Sequence, residues 1–343
     1  MIKMFARYVN LMVITVFILV LLSFMLPYYF PGELLTNISG IVPASEVQAQ
    51  ALEKAFKLDK NLVQQFLFYL NNLISGNWGV SSVSQLKLYD EIAIALPATI
   101  ELVFYSLAIA IFVGIPLGFI FGIKHHNPAD FSVVTFSIVG YSFPVFWLAL
   151  LFIVLFCLQL NWLPISGRIN LLFEVEHHTG FIFIDILKSN FENQSAALLD
   201  AFKHALLPTL SVTIVTTALF IRFTRRSTMY VMEKGYIVAA RSRGFTLRQI
   251  FFKHGIKNAL LPILPTMALQ ISTLITNVMI IETIFSWPGI GHWLIQAIYQ
   301  QDYPAIRMGM LIVALCVMIL TITIEFISRA LDPTKDTAER ASV

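Results

Sequence analysis

One long apolar run of this sequence carries polar side chains that could bind a polar group. Thr266, Gln270, Thr273 and Asn277 fall at offsets of 0, 4, 7 and 11, which places them on one face of a helix. Hydroxyl and amide groups are costly against lipid, so such a face turns toward other helices or toward a wet cavity. The spacing alone therefore leaves two interpretations open: hydrogen bonds between helices, or a path for a polar cargo.

Three acids lie within or beside apolar runs. Glu282 falls near the C-terminal end of the run just described, where a helix dipole does not stabilise an anion, so it is a candidate contact for a cationic cargo. Glu101 lies near the start of another run, where the dipole favours it. Glu325 precedes Arg329 by one turn, which predicts a local ion pair.

A glycine and a proline lie one turn apart in the stretch GYSFP at residues 140–144. Such a pair favours a kink, and a kink frees backbone groups that protein or cavity water must then satisfy. Tyr141 and Ser142 lie beside this kink, so they are candidates for lining the same path. A purely structural bend is the alternative.

Motifs for covalent, metal or nucleotide chemistry are absent from the sequence. It has no serine elbow, no HExxH, no paired-cysteine motif and no glycine-rich stretch that ends in Gly-Lys-Ser/Thr. The histidine pairs at 125–126 and 177–178 have no Cys, Asp or Glu cluster to complete a metal shell. We therefore predict no catalytic residue, metal site or cofactor in this chain.

Composition determines which elements must hold these residues. With 57% hydrophobic and 13% charged residues over 343 positions, and a mean hydropathy of +0.77, the chain is not a soluble domain. A spanning helix needs about 20 apolar residues. Six runs satisfy this, and they predict an all-α polytopic membrane protein with transmembrane helices at 8–29, 98–122, 132–158, 204–224, 259–285 and 305–328.

The distribution of Lys and Arg predicts the topology. With both termini in the cytoplasm, the short inner segments hold 14 of the 23 basic residues, as the positive-inside rule requires. The net charge of +3 is then a topological signature, and nucleic acid is not an expected partner. The first run lacks a cleavage site, which favours a retained anchor.

The outer segment and the second span each carry a further sequence pattern. In the outer segment 30–97, a capping box at Ser45–Gln48 and a second amphipathic helix ending at Gly76 predict a folded lid. In the second span, small residues recur every four positions and predict a close approach of another helix. They are Ala110, Gly114, Gly118 and Gly122.

The inner stretch YIVAARSRGFTLRQIFFKHGIKNALLP, residues 236–262, is basic and contains no acid. The letters T-L-R-Q form a capping box that begins a helix at Thr246, and Gly244 before it is placed to end a preceding helix. The alanines at 239 and 240 allow close backbone approach. The pattern predicts a helix, a glycine corner and a second helix that dock on another protein, whereas charge alone requires no more than a cytoplasmic loop.

YIVAARSRG at 236–244 resembles the coupling loop of ABC transporter permeases, in the form used by the dipeptide, oligopeptide and nickel subfamily. Further landmarks of that subfamily follow in order along nearly the whole chain: LDKNLVQQFLFYL at 58–70, GNWGVS at 76–81, LPATIEL at 96–102, HALLPTL at 204–210, SWPGIG at 286–291 and DYP at 302–304. SFPVFWLALL at 142–151 and NWLPISGR at 161–168 are similar to its sap-type branch, which is associated with antimicrobial peptides and polyamines. Val238 and Asn77 depart from the arginine and aspartate common in relatives.

The resemblance implies a type I ABC permease fold in a bacterial inner membrane. It divides the chain into residues 1–29, an outer loop at 30–97, a transmembrane core at 98–328 with the coupling loop at 227–258, and a tail at 329–343. The ATPase-coupling residues would be Tyr236, Ala239, Ala240, Arg241, Gly244 and Thr246. It also favours the path over interhelical bonding for Gln270, Thr273 and Asn277.

The same resemblance implies the partners. They are a second, related permease, two cytoplasmic ATPase subunits that bind ATP and Mg, membrane lipid, and a periplasmic solute-binding protein if the system imports. An ion-driven secondary transporter is the rival class, and it would need no folded loop for docking an ATPase.

Overall fold

A computed structural model describes residues 2–124, 127–189 and 193–331 of the chain. The α-helices are, in order, α1 Ile2–Met25, α2 Leu34–Ser39, α3 Glu46–Ala55, α4 Leu62–Ile74, α5 Leu88–Ile109, α6 Ile115–Ile123, α7 Pro128–Ser142, α8 Val145–Phe152, α9 Ile182–Lys188, α10 Gln194–Met232, α11 Gly235–Ser242, α12 Leu247–Ile250, α13 Ile256–Leu260, α14 Leu264–Ile284, α15 Ile290–Tyr299 and α16 Tyr303–Leu331. Within these ranges there is no β-strand, only a single bridge between Val80 and Lys87.

Among the described residues, five helices are long and apolar enough to cross a membrane, or six if a pair of helices bent by 95° counts as one span. The five are Val9–Tyr28, Leu88–Ile123, Gln194–Met232, Leu264–Ile284 and Tyr303–Phe326, and the bent pair is Asp130–Ser142 with Val145–Gln159. The predicted all-α polytopic fold is confirmed. The kink predicted from the GYSFP stretch is also confirmed, since the bend falls between Ser142 and Val145.

Several helices extend beyond the apolar runs that predicted them. The second span begins at Leu88 instead of 98, and the fourth is Gln194–Met232 instead of 204–224. Hydropathy detects only the part of a helix that suits lipid, whereas the backbone continues into polar sequence. Asp90 and Glu91 in the first turn of α5 are well placed for its dipole.

The fifth run was predicted as one helix at 259–285, and this is wrong at its N-terminal end. Helix α13 ends at Leu260, a turn follows, and α14 begins at Leu264. Pro262 lies in that turn, and Pro265 lies in the first turn of α14. A proline has no backbone N–H to donate, so it is tolerated at a helix start and interrupts a continuous helix.

One compact unit comprises Met1–Ile100, Leu171–Leu198 and Ser286–Ile319. Its core is an apolar cluster of Val20, Leu88, Ile92, Ala95, Ile290, Ala297, Ala305, Ile306, Met308 and Leu311. The indole of Trp287 is fully buried and its Nε1 donates to the Ala98 carbonyl at 3.0 Å. The carboxylate of Asp302 accepts from the Ser81 hydroxyl and from the Ser82 backbone N–H, the latter at 3.1 Å, so it anchors the outer segment.

The two helices predicted in the outer segment are present in this unit. Ser45 caps α3 by accepting from the Gln48 backbone N–H at 3.3 Å, but the Gln48 side chain accepts from Ala44 instead of completing the predicted box. The predicted apolar face of α3 has no buried residue. The face of α4 does pack on the core cluster, through Phe66, Tyr69, Leu70 and Leu73.

The second compact unit comprises Glu101–Asn170, Leu199–Phe285 and Leu320–Val343. The stripe of small residues in the second span lies directly against α10 in this unit, as predicted. A Cβ atom added at Gly118 would lie 2.5 Å from the Thr224 Cβ and 2.9 Å from the Ile221 carbonyl oxygen. Gly122 meets Thr228 in the same way, at 2.5 Å. These distances are too short for any side chain, so glycine permits the contact.

Two buried or half-buried ion pairs also hold the second unit. The Arg168 Nε donates to Glu101 Oε2 at 2.9 Å, and the Tyr105 hydroxyl donates to the other carboxylate oxygen. Arg225 forms a two-pronged pair with Asp130, with N to O distances of 2.6 and 2.7 Å. The planar guanidinium matches a carboxylate in this geometry.

The predicted role of the helix dipole at Glu101 is wrong. Helix α5 begins at Leu88, so Glu101 lies well inside it and is stabilised by Arg168. The ion pair predicted between Glu325 and Arg329 depends on the Arg329 side chain, which is not among the described side chains, so that ion pair stays a prediction. His125 and His126 also lie outside the described residues.

Candidate functional site

The inner loop folds as two short helices joined at Gly244. Helix α11 ends at Ser242, and Gly244 has a left-handed backbone with φ of +84°. The Gly244 N–H donates to the Arg241 carbonyl at 2.9 Å, and the Phe245 N–H donates to the Ala240 carbonyl at 3.3 Å. These two bonds define a Schellman motif, in which glycine is favoured because it has no Cβ to strain. The predicted glycine corner is therefore present.

The helix after the corner begins as the T-L-R-Q pattern predicted. The Thr246 hydroxyl accepts from the Gln249 backbone N–H at 3.3 Å, while the Gln249 side chain accepts from the Thr246 backbone N–H at 2.9 Å. This reciprocal capping box satisfies two backbone donors that would otherwise be unpaired. Both arms of the corner are thus fixed by bonds within a few residues of it.

A small apolar core supports the corner from beneath. Met232 at the end of α10, Ile237 of α11 and Ile250 of α12 are each at most 5% exposed and pack together, with Ala240 against them. The Asn258 amide donates to the Tyr236 hydroxyl at 3.0 Å, which links α11 to α13. The loop is therefore a folded element joined to α10 on one side and through α13 to α14 on the other.

The solvent-exposed face of this loop carries both apolar and cationic side chains. Tyr236, Ala239, Arg241, Gly244 and Thr246 are all exposed. Large apolar side chains beside them are exposed too: Val238, Phe245, Leu247 and Phe252. Several large exposed apolar side chains on one folded element favour an interaction surface over a solvated loop. Ala240, the sixth predicted coupling residue, is half-buried against the apolar core of the loop. All six predicted coupling residues therefore belong to the same folded element.

Tyr141 and Ser142 lie at the sharp bend between α7 and α8, and both are exposed. The Ser142 hydroxyl donates back to the Ile138 carbonyl at 2.7 Å. The rings of Phe143 and Trp147 stack across the break, with centroids 4.9 Å apart. The bend therefore exposes polar groups within a predicted span, which is compatible with a path.

The polar face of α14 is separate from the helix's packing face. Thr266, Gln270 and Asn277 are half-buried and Thr273 is exposed, whereas Ile271, Leu274, Ile275, Val278 and Ile281 are buried. The Thr273 hydroxyl donates to the Gln270 carbonyl of its own helix at 2.8 Å. An interhelical hydrogen bond from α14 is made by Ser272, whose hydroxyl lies 3.0 Å from that of Thr321 on α16.

Glu282 differs from the other predicted path residues because it is fully buried. Glu282 also makes an interaction within the chain. A cargo could therefore reach this carboxylate only after a rearrangement. Among the described residues, no three His, Cys, Asp or Glu side chains are grouped so as to hold a metal ion.

Sequence reasoning singled out Glu101 but missed the two long-range ion pairs and another buried charge. Arg168 and Glu101 are 67 positions apart, and Asp130 and Arg225 are 95 apart, so no local spacing reveals either pair. Arg307, at 6% exposed, was also missed. The one available signal was an arginine inside a predicted apolar run, which is costly without a complement.

Comparison with known proteins identifies relatives along nearly the full chain. Residues 114–337 match the family described as binding-protein-dependent transport system inner membrane component. The di/tripeptide transport system permease protein DppB of Pseudomonas aeruginosa is 36% identical over 336 residues, covering 97% of this chain and 98% of the relative. The putrescine export system permease protein SapB of Escherichia coli K12 is 36% identical over 330 residues, covering 96% of each chain. The dipeptide permease DppB of Escherichia coli K12 is 32% identical over 339 residues, covering 97% and 98%.

Proposed function

The chain belongs to the family of inner membrane components of binding-protein-dependent transport systems, and from that premise we propose how it takes up energy and carries its cargo. It is a permease subunit of an ABC transporter, with the type I permease fold and multiple membrane spans. Permeases of this family are not themselves catalytic. An ion-driven secondary transporter is not favoured.

The cargo that we propose is a peptide or a small cationic solute. Relatives are named for di/tripeptides, dipeptides and putrescine, which share a protonated amino group. The outer loops predicted from sequence hold twelve acids against seven basic residues, and such a field attracts cations. Part of that excess follows from the positive-inside rule, so the names of the relatives are the stronger support.

We infer that the energy comes from two cytoplasmic ATPase subunits that bind ATP and Mg. A second, related permease would complete the pore, and a periplasmic solute-binding protein would deliver cargo in an importer. Both termini would face the cytoplasm of a bacterium, as the distribution of Lys and Arg predicts. This orientation exposes the folded loop to the ATPases.

The loop's construction supports a role in transmitting motion. Its solvent-exposed face would dock on the ATPase, and closure of the ATPases would displace α11 and the corner together. Because Met232, Ile237 and Ile250 pack as one cluster, that displacement passes to α10. The displacement also passes through α13 to α14. Movement of α14 and its polar face would then change the side of the membrane to which the path opens.

The glycine corner gives the direct test of coupling. Gly244→Val should abolish ATP-driven transport while the chain still inserts, because a β-branched residue at positive φ is strained by more than the roughly 1–2 kcal/mol typical of left-handed residues. Gly244→Asn is the matched control, since asparagine tolerates this conformation, and it should keep most activity. ATP-driven transport and ATPase stimulation in proteoliposomes measure the effect, and co-purification of the ATPase reports whether docking survives. If transport and ATPase stimulation both survive in the valine variant, the corner is not the coupling element.

The polar face of α14 gives the test of the path. Gln270→Leu and Asn277→Leu should each reduce transport by about fivefold, the value of one lost hydrogen bond near 1 kcal/mol, and leave assembly intact. Ser272→Ala is the control, because it removes the interhelical bond to Thr321 and should affect stability more than transport. A pull-down of the solubilised complex separates the two. Loss of assembly in the leucine variants would mean that the face binds another helix.

Transport by vesicles that contain the complete complex tests the cargo class. Dipeptides, cationic peptides, polyamines and nickel would be offered separately with ATP present. Uptake or export of a peptide or polyamine supports the proposal. Transport of nickel alone would overturn the cargo class and leave the permease assignment intact.

A further inference from the structure

A groove between α7 and α10 opens at the surface of the second compact unit. It holds about 570 Å³ of accessible space, within the range of pockets that bind small organic ligands. Its lining residues are Val134, Ser137 and Ile138 of α7 and Ile221, Arg222, Arg225, Arg226 and Met229 of α10. Apolar and cationic side chains therefore line the same space.

The groove lies between two contacts that join α7 to α10. At one contact Gly140 packs on α10, where an added Cβ would lie 3.3 Å from the Ala218 Cβ. At the other, Arg225 bonds to Asp130 with N to O distances of 2.6 and 2.7 Å. The residues of the groove fall between or beside these two points on each helix. Contacts within the unit therefore fix its shape.

Two arginines of the groove have no acidic partner. Arg222 and Arg226 are one helical turn apart and exposed, and neither makes an ion pair or a side-chain hydrogen bond within the described part of the chain. No Asp or Glu is among the described residues that line the groove. The nearby acid Asp130 is already bonded to Arg225. Two positive charges are therefore available to a ligand.

The position of these charges along the spans corresponds to the surface of the membrane. Residues 205–221 of α10 include no charged side chain, and Arg222 is the first charge after them. On α7, Asp130 is followed by an uncharged stretch that extends to residue 167. Charged residues at the ends of apolar spans lie at the level of the lipid headgroups. The arginines of the groove are therefore placed to meet headgroups.

An anionic phospholipid matches both parts of the groove. A guanidinium donates two parallel hydrogen bonds to phosphate oxygens, and basic pockets between membrane helices suit anionic headgroups. Acyl chains would cover the apolar side chains, of which Ile138 is 55% exposed and Val134 and Met229 are half-buried. A water-soluble anion would satisfy the arginines but leave this apolar surface without a complement.

We propose that the groove binds one anionic phospholipid, with Arg222 and Arg226 holding its phosphate. Val134, Ile138 and Met229 contact the part of the acyl chains nearest to the headgroup. In the proposed orientation this lipid belongs to the inner leaflet of the membrane. The inference goes beyond the proposed function, because it depends neither on the cargo nor on the ATPase.

The test uses dioleoylphosphatidylglycerol and dioleoylphosphatidylcholine as probes. The complete complex, purified in detergent and depleted of lipid, would be titrated with each, and native mass spectrometry would give the affinity for the first bound lipid. Arg222→Gln combined with Arg226→Gln should weaken binding of phosphatidylglycerol by about 10- to 100-fold, the value of hydrogen bonds to a charged group. The weaker binding of phosphatidylcholine should not change. Arg243→Gln combined with Arg248→Gln removes the same charge from exposed positions outside the groove and should change neither.

A matched pair of variants at Ile138 tests the groove without changing the arginines. Ile138→Glu places a carboxylate beside them and should weaken binding of phosphatidylglycerol by a similar factor. Ile138→Gln has the same size without the charge and should keep most of the affinity. Because Ile138 is exposed and the two arginines are unpaired, the melting temperature of every lipid-free variant should equal that of the unchanged protein.

Three results would overturn the proposal. Equal affinity for the two lipids, or phosphatidylglycerol binding that survives both the double arginine variant and Ile138→Glu, would exclude a headgroup site here. Displacement of phosphatidylglycerol by inorganic phosphate would assign the groove to a free anion. Loss of the second permease from the complex of either variant would assign it to a contact between subunits. Since no transport is measured, each of these results leaves the proposed cargo and coupling as they are.

Discussion

Glu101→Ala should lower the free energy of unfolding by about 3–5 kcal/mol, the range found when one partner of a buried ion pair is removed. The Glu101 and Arg168 side chains are 2% and 7% exposed, so the loss would leave a guanidinium without its counter-ion. The Tyr105 hydroxyl would lose its acceptor as well. Unfolding in a detergent mixture with increasing sodium dodecyl sulfate, monitored by fluorescence, measures the change.

A double variant separates the value of the pair from the penalty for breaking it. Glu101→Leu combined with Arg168→Met should recover most of the stability, because neither charge then remains buried alone. Asp59→Asn is the surface control: its pair with Lys60 is about half exposed, and such pairs contribute about 0–1 kcal/mol. If Glu101→Ala costs no more than Asp59→Asn, the buried pair is not structural.

Gly118→Ala should destabilise the chain by about 1–3 kcal/mol, the usual penalty for overpacking, and Gly118→Leu should prevent folding of the second unit. The added Cβ would lie 2.5 Å from the Thr224 Cβ and 2.9 Å from a carbonyl oxygen of α10. The backbone carbonyl cannot move aside as a flexible side chain can. The expected readout is a lower melting temperature and a lower yield of monodisperse protein.

Two variants control for the general effect of replacing glycine. Gly235→Ala should be neutral or slightly stabilising, because nothing lies within 4 Å of its added Cβ and the site is helical. Thr224→Gly combined with Gly118→Ala should recover part of the lost stability, because it removes the contact with the Thr224 Cβ and leaves the contact with the Ile221 carbonyl oxygen. Failure of this exchange to recover stability would contradict the proposed contact between the two helices.

Features defined by neighbours in sequence were predictable. The Gly244 corner and the Thr246 capping box depend on hydrogen bonds that span at most five residues, so residue types alone specify them. The bend before Val145 was predictable for the same reason, because proline removes a local donor. Small residues at helical spacing likewise predicted a close approach, although not that its partner is α10.

Features that depend on the fold were not predictable. The salt bridge between Arg168 and Glu101 joins residues far apart in sequence, and Arg168 on its own resembled any basic residue of an outer loop. Arg307 gave a local warning, but its surroundings include α4 and the segment after it, more than 200 positions away. Helix ends were displaced because lipid compatibility, which hydropathy measures, is a different property from hydrogen bonding along the backbone.

The contact of Gly114, Gly118 and Gly122 with α10 also restricts how the second unit can move. Long side chains between two helices can change rotamer and so let the helices shift. Here the glycine backbone lies directly against Cβ atoms of α10, and no flexible side chain separates them. Sliding or rotation of one helix on the other would bring atoms into steric overlap, so we expect the two helices to move together as a rigid body. Bending of this unit is then expected where the α-helical hydrogen-bond ladder is interrupted, for example at the bend before Val145 and at the turn around Pro262.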